Sequence, residues 1–284
     1  MIVSDIFRAK RFVMSAEVFP PKRNGMLEGV IRALKDIKGL SPDFVSITYG
    51  ANGNGGDTTA DVASVAIDAF EMTTVAHMTA VNMTVAKLEE KLEQLARKGV
   101  ENILTLRGDI ASDSAFYDFR FASDLAAYIK RRYPQFHLIG ACYPEGHYQA
   151  PSLEADVDNL RRKIDAGVEH LITQLFFDNS CFYRFRELLA RKGIDTPVSA
   201  GIMPITNALQ VSRTVAMSGA HIPPDFAKVI ANNDGPQLYR AGIDYAVEQI
   251  RDLHANGVRG VHLYTMNKGE IAQEVFARCK DLRA

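Results

Sequence analysis

The stretch Asp165-Ala166-Gly167-Val168-Glu169-His170-Leu171-Ile172-Thr173-Gln174 joins a helical pattern to a short apolar run through one glycine. Glycine accepts the left-handed backbone that commonly ends a helix, and an apolar run directly after it is typical of a strand covered on both faces. The same order recurs around Gly99 and Gly257, where Ile103-Leu104-Thr105-Leu106 and Val261-His262-Leu263-Tyr264 follow. Each stretch therefore predicts the second half of a βαβ unit.

Eight short β-like runs can be placed along the chain, and eight parallel strands close a barrel. They are residues 12–19, 44–49, 74–79, 102–106, 137–143, 170–177, 198–203 and 258–264. Helical spacing is clearest in residues 85–98, and other helices begin near Met26, Thr58, Tyr117, Ser152, Cys181, Asn207 and Gln237. We expect an α/β fold, a (βα)8 TIM barrel forming a single domain over residues 1–284. An open doubly wound sheet is the alternative.

The composition argues against several classes of function. Lys and Arg number 33 against 34 Asp and Glu, so no overall basic field attracts nucleic acid or an anionic membrane. Three cysteines on separate predicted elements argue against a secreted disulfide framework. The N-terminal residues contain no basic stretch followed by an apolar stretch, as a signal peptide would. No window reaches the apolar run of about 18 residues that a membrane span needs. We expect a cytoplasmic protein with small-molecule ligands.

A glycine-rich loop, Gly50-Ala51-Asn52-Gly53-Asn54-Gly55-Gly56, follows the second predicted strand. Its residue order matches neither the G-x-G-x-x-G fingerprint nor the Lys-Ser/Thr of a P-loop. We interpret it as a flexible loop at the mouth of the barrel, in preference to a direct phosphate-binding loop.

Two ionisable residues interrupt apolar strands. Glu17 precedes Pro20-Pro21, and burial among apolar neighbours disfavours a carboxylate anion, which favours a glutamate able to donate a proton near neutral pH. The alternative for Glu17 is a salt bridge to Lys22 or Arg23. His77 is a lone polar residue near a strand tip, and the sequence contains no H-E-x-x-H or C-x-x-C motif, so a metal-dependent hydrolase is disfavoured.

Two further groups of charged residues are candidates for binding an anion. Leu106-Arg107-Gly108-Asp109 ends the fourth predicted strand, and its glycine allows close approach by a ligand, although solvated loop charges are the alternative. Four polar residues lie along one side of a predicted helix: Asp156, Asn159, Arg162 and Lys163. Such a stripe is usually solvated, and it becomes a phosphate site only where it borders the ligand cleft.

Ordered motifs on successive predicted strands closely resemble methylenetetrahydrofolate reductase. They are Ser15-Ala16-Glu17-Val18-Phe19-Pro20-Pro21-Lys22, Ser46-Ile47-Thr48-Tyr49-Gly50-Ala51, Ala76-His77-Met78-Thr79, Leu106-Arg107-Gly108-Asp109, Tyr143-Pro144-Glu145-Gly146-His147, Thr173-Gln174-Leu175-Phe176-Phe177-Asp178, Gly201-Ile202-Met203-Pro204-Ile205 and Leu263-Tyr264-Thr265-Met266-Asn267. The resemblance covers nearly the whole chain. The flavin-bearing (βα)8 barrel of that family coincides with the fold predicted above.

The resemblance implies a two-step hydride transfer. A reduced nicotinamide, NADH or NADPH, gives hydride to FAD, and the reduced flavin passes it to 5,10-methylenetetrahydrofolate, forming 5-methyltetrahydrofolate. Glu17 matches the general acid of the family, which protonates folate N10. Asp109 matches a catalytic carboxylate near both flavin and pterin, and Gln174 matches the amide that serves pterin and nicotinamide in turn.

The resemblance also implies a set of cofactor and substrate residues. The FAD-binding pattern falls on Thr48, Tyr49, Ala51, His77, Arg107, Gly108, Asp109, Tyr143, His147, Asp156, Asn159, Arg162 and Lys163. Asp109, Gln174, Gln210 and Lys268 match substrate positions, and no metal is implied. Many bacterial relatives have arginine where Lys268 stands, and Thr214 stands near the place of a familiar aromatic residue. Lysine does not offer the bidentate fork of arginine to a folate carboxylate.

Other functions stay open at this point. One is a pterin-binding methyltransferase barrel that passes a methyl group to a corrinoid without flavin, and another is a folate-binding partner subunit without turnover. The sequence ends just past the eighth unit, so we expect no inhibition through the S-adenosylmethionine-sensing domain of eukaryotic relatives. We also expect a homo-oligomer.

Overall fold

The computed structural model describes residues 1–21, 27–49, 56–109 and 115–283. Within these ranges, eight strands close a barrel in sequence order, and every neighbouring pair, including the first with the eighth, is parallel. The strands are β1 (Val13–Val18), β2 (Val45–Ile47), β3 (Thr74–Thr79), β4 (Asn102–Leu106), β5 (His137–Cys142), β6 (Val168–Thr173), β7 (Val198–Ile202) and β8 (Gly260–Tyr264). The predicted (βα)8 TIM barrel is confirmed, and the open doubly wound sheet is wrong.

Helix α1 precedes the first strand and packs against one end of the barrel, and the other helices follow the strands around its outside. They are α1 (Val3–Ala9), α2 (Glu28–Lys38), α3 (Gly56–Asp68), α4 (Val85–Arg97), α5 (Ala122–Arg132), α6 (Leu153–Asp165), α7 (Asn179–Arg191), α8 (Ala208–Ser218), α9 (Pro224–Asn232), α10 (Gly235–Ala255) and α11 (Gly269–Arg278). None of the helices described has both the length and the apolar character needed to cross a membrane. The three cysteines are buried and unpaired.

The three glycines that predicted the ends of helices adopt the left-handed conformation. The φ angles of Gly99, Gly167 and Gly257 are 76°, 106° and 76°. At Gly167 an added Cβ would also lie 2.7 Å from the side chain of Lys130, so both the backbone and the neighbouring side chain favour glycine. These turns let each strand begin directly after the preceding helix.

The barrel interior is closed at the N-terminal ends of the strands. Val13 of β1 and Ile172 of β6 belong to an apolar cluster that also contains Phe44, Val75, Leu104 and Ile139. Three residues of α1, Val3, Ile6 and Phe7, complete this cluster. Because α1 packs into this end, the interior of the barrel is closed there, and the fold typically binds its ligands at the opposite, C-terminal ends of the strands.

The sixth strand differs from the prediction, which extended it to Phe177. It ends at Thr173. The apolar residues after it are buried, but they are not paired with a neighbouring strand. The Gln249 side chain donates to the Phe176 carbonyl at 2.9 Å, and the Tyr245 hydroxyl donates to the Phe177 carbonyl at 2.6 Å. Helix α10 therefore supplies the backbone hydrogen bonds that a strand would have supplied, while the apolar pattern looks the same.

Candidate active site

The three residues predicted to act on the substrate lie at one end of the barrel. Glu17 is in the C-terminal half of β1, Asp109 follows β4, and Gln174 follows β6 directly. Because all eight strands are parallel, these ends share one rim. The predicted placement of the three residues around a common mouth is compatible with this arrangement, and their roles stay predictions.

Glu17 is buried beside two histidines. Its side chain is 8% exposed, and its Oε2 lies 3.7 Å from His77 Nε2 and 4.0 Å from His262 Nε2. Within the described ranges these imidazoles are the basic side chains that lie within 4.0 Å of its carboxyl, whereas Lys22 and Arg23, named as alternative partners, lie outside those ranges. Among the described residues, no Lys or Arg forms an ion pair with the Glu17 carboxyl.

His77 is neutral at physiological pH. Burial lowers its pKa to about 4, against a smaller opposing effect of Glu17. Its Nε2 is buried and has no hydrogen-bond partner in the part of the chain that the structure describes. A buried ring nitrogen of this kind, next to the mouth of a barrel, suits contact with a bound ligand.

His262 is held between two serine hydroxyls deep in the barrel. Its Nδ1 lies 2.7 Å from Ser15 Oγ, and its Nε2 lies 3.0 Å from Ser46 Oγ. Ser15 Oγ also donates to the Val261 carbonyl at 3.1 Å. One tautomer satisfies every atom: Nδ1–H donates to Ser15, and the Ser46 hydroxyl donates to Nε2. The imidazole beside Glu17 is thus fixed in orientation by two hydroxyl groups.

Tyr264, the neighbour of Glu17 on β8, is hydrogen-bonded to β6. Its hydroxyl donates to the Thr173 carbonyl at 2.7 Å. Burial raises its pKa, and the charges of Glu17 and then of Cys142 and Tyr143 add to that effect. Tyr264 therefore lies within electrostatic range of both Glu17 and the residues that follow β5.

A second group of residues surrounds Lys163. Its Nζ donates to the Ala141 carbonyl at 2.8 Å, and burial lowers its pKa, with Asp156 opposing and Arg107 adding to this effect. Burial also raises the pKa of Tyr143 to about 12, with further contributions from Asp156 and Asp109. The predicted cofactor residues from β4, β5 and α6 thus form one cluster. Two members of the helical stripe, Asn159 and Arg162, are exposed.

The loop after β5 links this cluster to Gln174. Asp156 accepts from the His147 backbone N–H at 3.0 Å, and the His147 ring packs edge-on against Tyr143 with centroids 4.8 Å apart. Tyr143, His147 and Gln174 line the same cavity of about 310 Å³. A ligand that occupied this cavity would contact residues predicted for the cofactor and residues predicted for the substrate.

The remaining predicted cofactor residues lie on the β2 and β4 ends. Tyr49 is buried, and the Thr48 carbonyl accepts from Thr59 Oγ1 at 2.9 Å. Gly108 has a φ of 86°, and an added Cβ would lie 2.3 Å from Val81 Cγ1, so this position requires glycine. Ala51 and the rest of the loop over residues 50–55 lie outside the described residues.

Gln210 and Lys268 were predicted on the folate side. Asn207 caps α8 by accepting from Gln210 N at 2.9 Å, and the Gln210 side chain in turn accepts from Thr206 N at 3.0 Å. The Gln210 amide also donates to the Pro204 carbonyl at 2.9 Å, so Gln210 would have to leave these backbone partners to contact a ligand. Lys268 is half-buried at the start of α11, and Thr214 is buried, with its hydroxyl 3.4 Å from Met203 Sδ.

Sequence reasoning gave no role to several residues that the structure places around Glu17. They are Ser15, Ser46, His262 and Asn267. A signal was present for two of them, because Ser15 lies two residues before Glu17 and His262 lies two before Tyr264. Residues spaced by two share a strand face. Ser15 and His262 meet because β1 pairs with β8, and this pairing exists only in the closed barrel.

Comparison with known proteins agrees with this architecture. A family model described as methylenetetrahydrofolate reductase matches residues 2–280. The chain is 32% identical over 271 residues to the 5,10-methylenetetrahydrofolate reductase of Escherichia coli (strain K12), covering 95% of this chain and 90% of that protein. It is 31% identical over 274 residues to the enzyme of the same name from Pectobacterium carotovorum subsp. carotovorum, covering 96% and 90%.

Among solved structures, an uncharacterized protein from Clostridium thermocellum, described as binding two copies of 5-methyl-5,6,7,8-tetrahydrofolic acid, matches with a TM-score of 0.70. The match covers 100% of this chain and 99% of that one at 14% identity, so it shows a shared fold. The full-length family match and the curated relatives establish more than the fold. As its strand-end motifs predicted, the chain belongs to the methylenetetrahydrofolate reductase family.

Proposed function

We propose that this chain reduces 5,10-methylenetetrahydrofolate to 5-methyltetrahydrofolate, with FAD as its cofactor and NADH or NADPH as electron donor. Membership of the family and the names of the curated relatives support the substrate and the reaction. The single observation that most favours the proposal is the position of Glu17, buried beside His77 and His262 on the rim that also bears Gln174 and the Lys163 cluster.

The residues present fit a flavin dinucleotide. Lys163, Arg107 and Arg162 supply positive charge for a pyrophosphate, and the unpartnered Nε2 of His77 is available to a polar atom of the ring system. When bound there, FAD would accept hydride from the nicotinamide and deliver it to the folate.

Glu17 is the proposed general acid. It would hold a proton and deliver it to N10 of the folate, which opens the five-membered ring to a cationic iminium. Its neighbours within 4.0 Å are imidazoles, and one of them is fixed by Ser15 and Ser46, so the carboxyl has a defined position and no Lys or Arg partner among the described residues. General acids in such positions typically contribute about 10²- to 10⁴-fold.

Asp109 and Gln174 are the proposed partners of the substrate ring. Asp109 is exposed at the mouth, where its charge would stabilise the cationic iminium of the substrate. The Gln174 Oε1 accepts from the Leu175 backbone N–H at 2.9 Å, which orients the amide nitrogen to donate to a pterin or nicotinamide. Lys268, at the start of α11, would contact the folate carboxylates as a point charge.

An anaerobic mixing experiment tests this function. The purified protein is supplied with FAD, then mixed with NADH or with NADPH, and finally with methylenetetrahydrofolate, while the flavin absorbance is recorded. We expect the flavin band to bleach with at least one nicotinamide and to recover on folate addition. A protein that stays colourless after addition of FAD would instead favour the flavin-free methyltransferase or the non-catalytic subunit.

A further inference from the structure

The turn after β8 holds the end of β1 by side-chain hydrogen bonds. The Thr265 hydroxyl, fully buried, donates to the Glu17 backbone carbonyl at 2.7 Å. The Asn267 side chain accepts from the Phe19 backbone N–H at 2.7 Å and donates to the Phe19 carbonyl at 2.8 Å. Residues 265–268, the β8–α11 turn, are thereby joined to the β1 backbone on both sides of Val18.

These hydrogen bonds begin where strand pairing stops. β8 ends at Tyr264, whose partner on β1 is Glu17. Past this point the primary amide of Asn267 offers one donor and one acceptor, as a peptide group does. It satisfies both backbone polar groups of Phe19, which the end of a strand otherwise leaves to water. The ladder between β1 and β8 is in effect extended by a side chain.

The β8–α11 turn has an unusual backbone. Met266 and Asn267 have φ angles of 53° and 59°, a left-handed conformation that costs free energy for residues with a Cβ atom. Asn267 N–H donates to Thr265 Oγ1 at 3.2 Å, and Lys268 N–H donates to the Thr265 carbonyl at 2.9 Å. Such strain persists where surrounding contacts over-determine it, and here those contacts end on the strand that bears Glu17.

We propose that Asn267 is a positioning residue for Glu17, with Thr265 as its partner. This inference rests on the proposed function, since it assigns what fixes the backbone of the general acid. Thr265 fixes the carbonyl of Glu17 itself, and Asn267 fixes the backbone two residues later. The same turn leads into Lys268, so it connects a residue proposed to contact folate with β1, the strand that bears Glu17.

The variant Asn267→Gly isolates the side-chain hydrogen bonds. Glycine adopts the left-handed backbone freely, so this change removes both bonds to Phe19 without adding strain. Met266→Gly is the matched control, because Met266 occupies the adjacent left-handed position with a side chain that is 47% exposed. We expect hydrogen exchange at the Phe19 amide to be about tenfold faster in Asn267→Gly and unchanged in Met266→Gly. Unchanged exchange in Asn267→Gly would overturn the link itself.

The two half-reactions then test the positioning role. With FAD bound, Asn267→Gly should oxidise the nicotinamide with an artificial acceptor at the rate of the unchanged protein. Its kcat with folate should fall by about tenfold or more, with an altered pH profile, because a displaced acid transfers its proton less often. A loss of folded protein would lower both half-reactions equally.

Two outcomes count against the proposal at this stage. An unaltered folate kcat in a variant with faster Phe19 exchange would overturn the positioning role. Absence of folate turnover in the unchanged protein would overturn the proposed function, and the positioning role with it. The exchange measurement separates these cases, because it reports on the link to Phe19 without any turnover.

Discussion

The hydroxyl of Tyr264 donates to the backbone carbonyl of Thr173 at 2.7 Å, across the C-terminal end of the intervening strand β7. This contact exists because β7 has glycine at position 201. An added Cβ there would lie 2.4 Å from the Thr173 carbonyl oxygen and 2.7 Å from the Tyr264 ring. The packing beneath Gln174 in the candidate site therefore depends on a position without a side chain.

The variant Gly201→Ala should accordingly be less stable and less active with folate. The new methyl group would overlap with the Thr173 carbonyl and the Tyr264 ring, so we expect the free energy of unfolding to fall by about 1–3 kcal/mol. The folate rate should fall because Thr173 directly precedes Gln174. Urea unfolding and folate turnover are the measurements, and Gly29→Ala, where nothing lies within 4 Å, is the control. Equal stabilities of Gly201→Ala and Gly29→Ala would show that the predicted overlap is wrong.

Lys163 should be a main determinant of FAD affinity. Removal of a half-buried cation from the Arg107 and Tyr143 cluster takes away a charge-assisted contact worth about 1.5–3 kcal/mol, or roughly 10- to 150-fold in Kd. We expect Lys163→Met to weaken FAD binding by this factor in a fluorescence titration. Lys192→Met is the matched control, since Lys192 pairs with Asp158. An FAD affinity unaltered by Lys163→Met would contradict the proposal that this cluster binds the pyrophosphate of FAD.

The stability of the barrel should fall in mild acid because of His170. This residue is fully buried, its Nε2 lies 3.0 Å from Ser199 Oγ, and burial lowers its pKa to about 3. The unfolded chain, with a histidine pKa of about 6.5, binds the proton first, so this contribution is present above about pH 6.5 and is lost as pH falls toward 3. By pH 5 the loss amounts to about 2 kcal/mol.

The variant His170→Asn separates this effect from other acid-sensitive groups. Its free energy of unfolding should be lower than that of the unchanged protein at pH 7 and should fall less between pH 7 and pH 5. The exposed His221→Asn is the control, with the pH dependence of the unchanged protein. Parallel curves for His170→Asn and the unchanged protein would mean that His170 does not titrate as described.

Much of the fold could be predicted from the sequence, because its signals are local. Gly99, Gly167 and Gly257 mark helix ends by their own backbone preference, and the apolar runs after them are covered on both faces wherever the barrel closes. Helices α1, α9 and α11 were missed. α1 has only seven residues and is held by packing into the barrel, so its pattern is too short to read.

The surroundings of the candidate acid could not be predicted in the same way. That Glu17 is buried could be inferred from its strand, but its neighbours His77 and His262 come from the third and eighth strands. Their meeting depends on the register of a closed sheet, in which Glu17 lies opposite Tyr264. The hydrogen bonds of Asn267 to Phe19 likewise join residues at opposite ends of the chain.

The most direct test of the central claim is the variant Glu17→Gln in the two half-reactions measured separately, with the exposed Glu90→Gln as control. If Glu17 is the acid that faces the folate, Glu17→Gln should bind FAD and oxidise the nicotinamide with an artificial acceptor, while folate reduction falls by at least about 100-fold. Folate reduction at the rate of the unchanged protein would contradict the account.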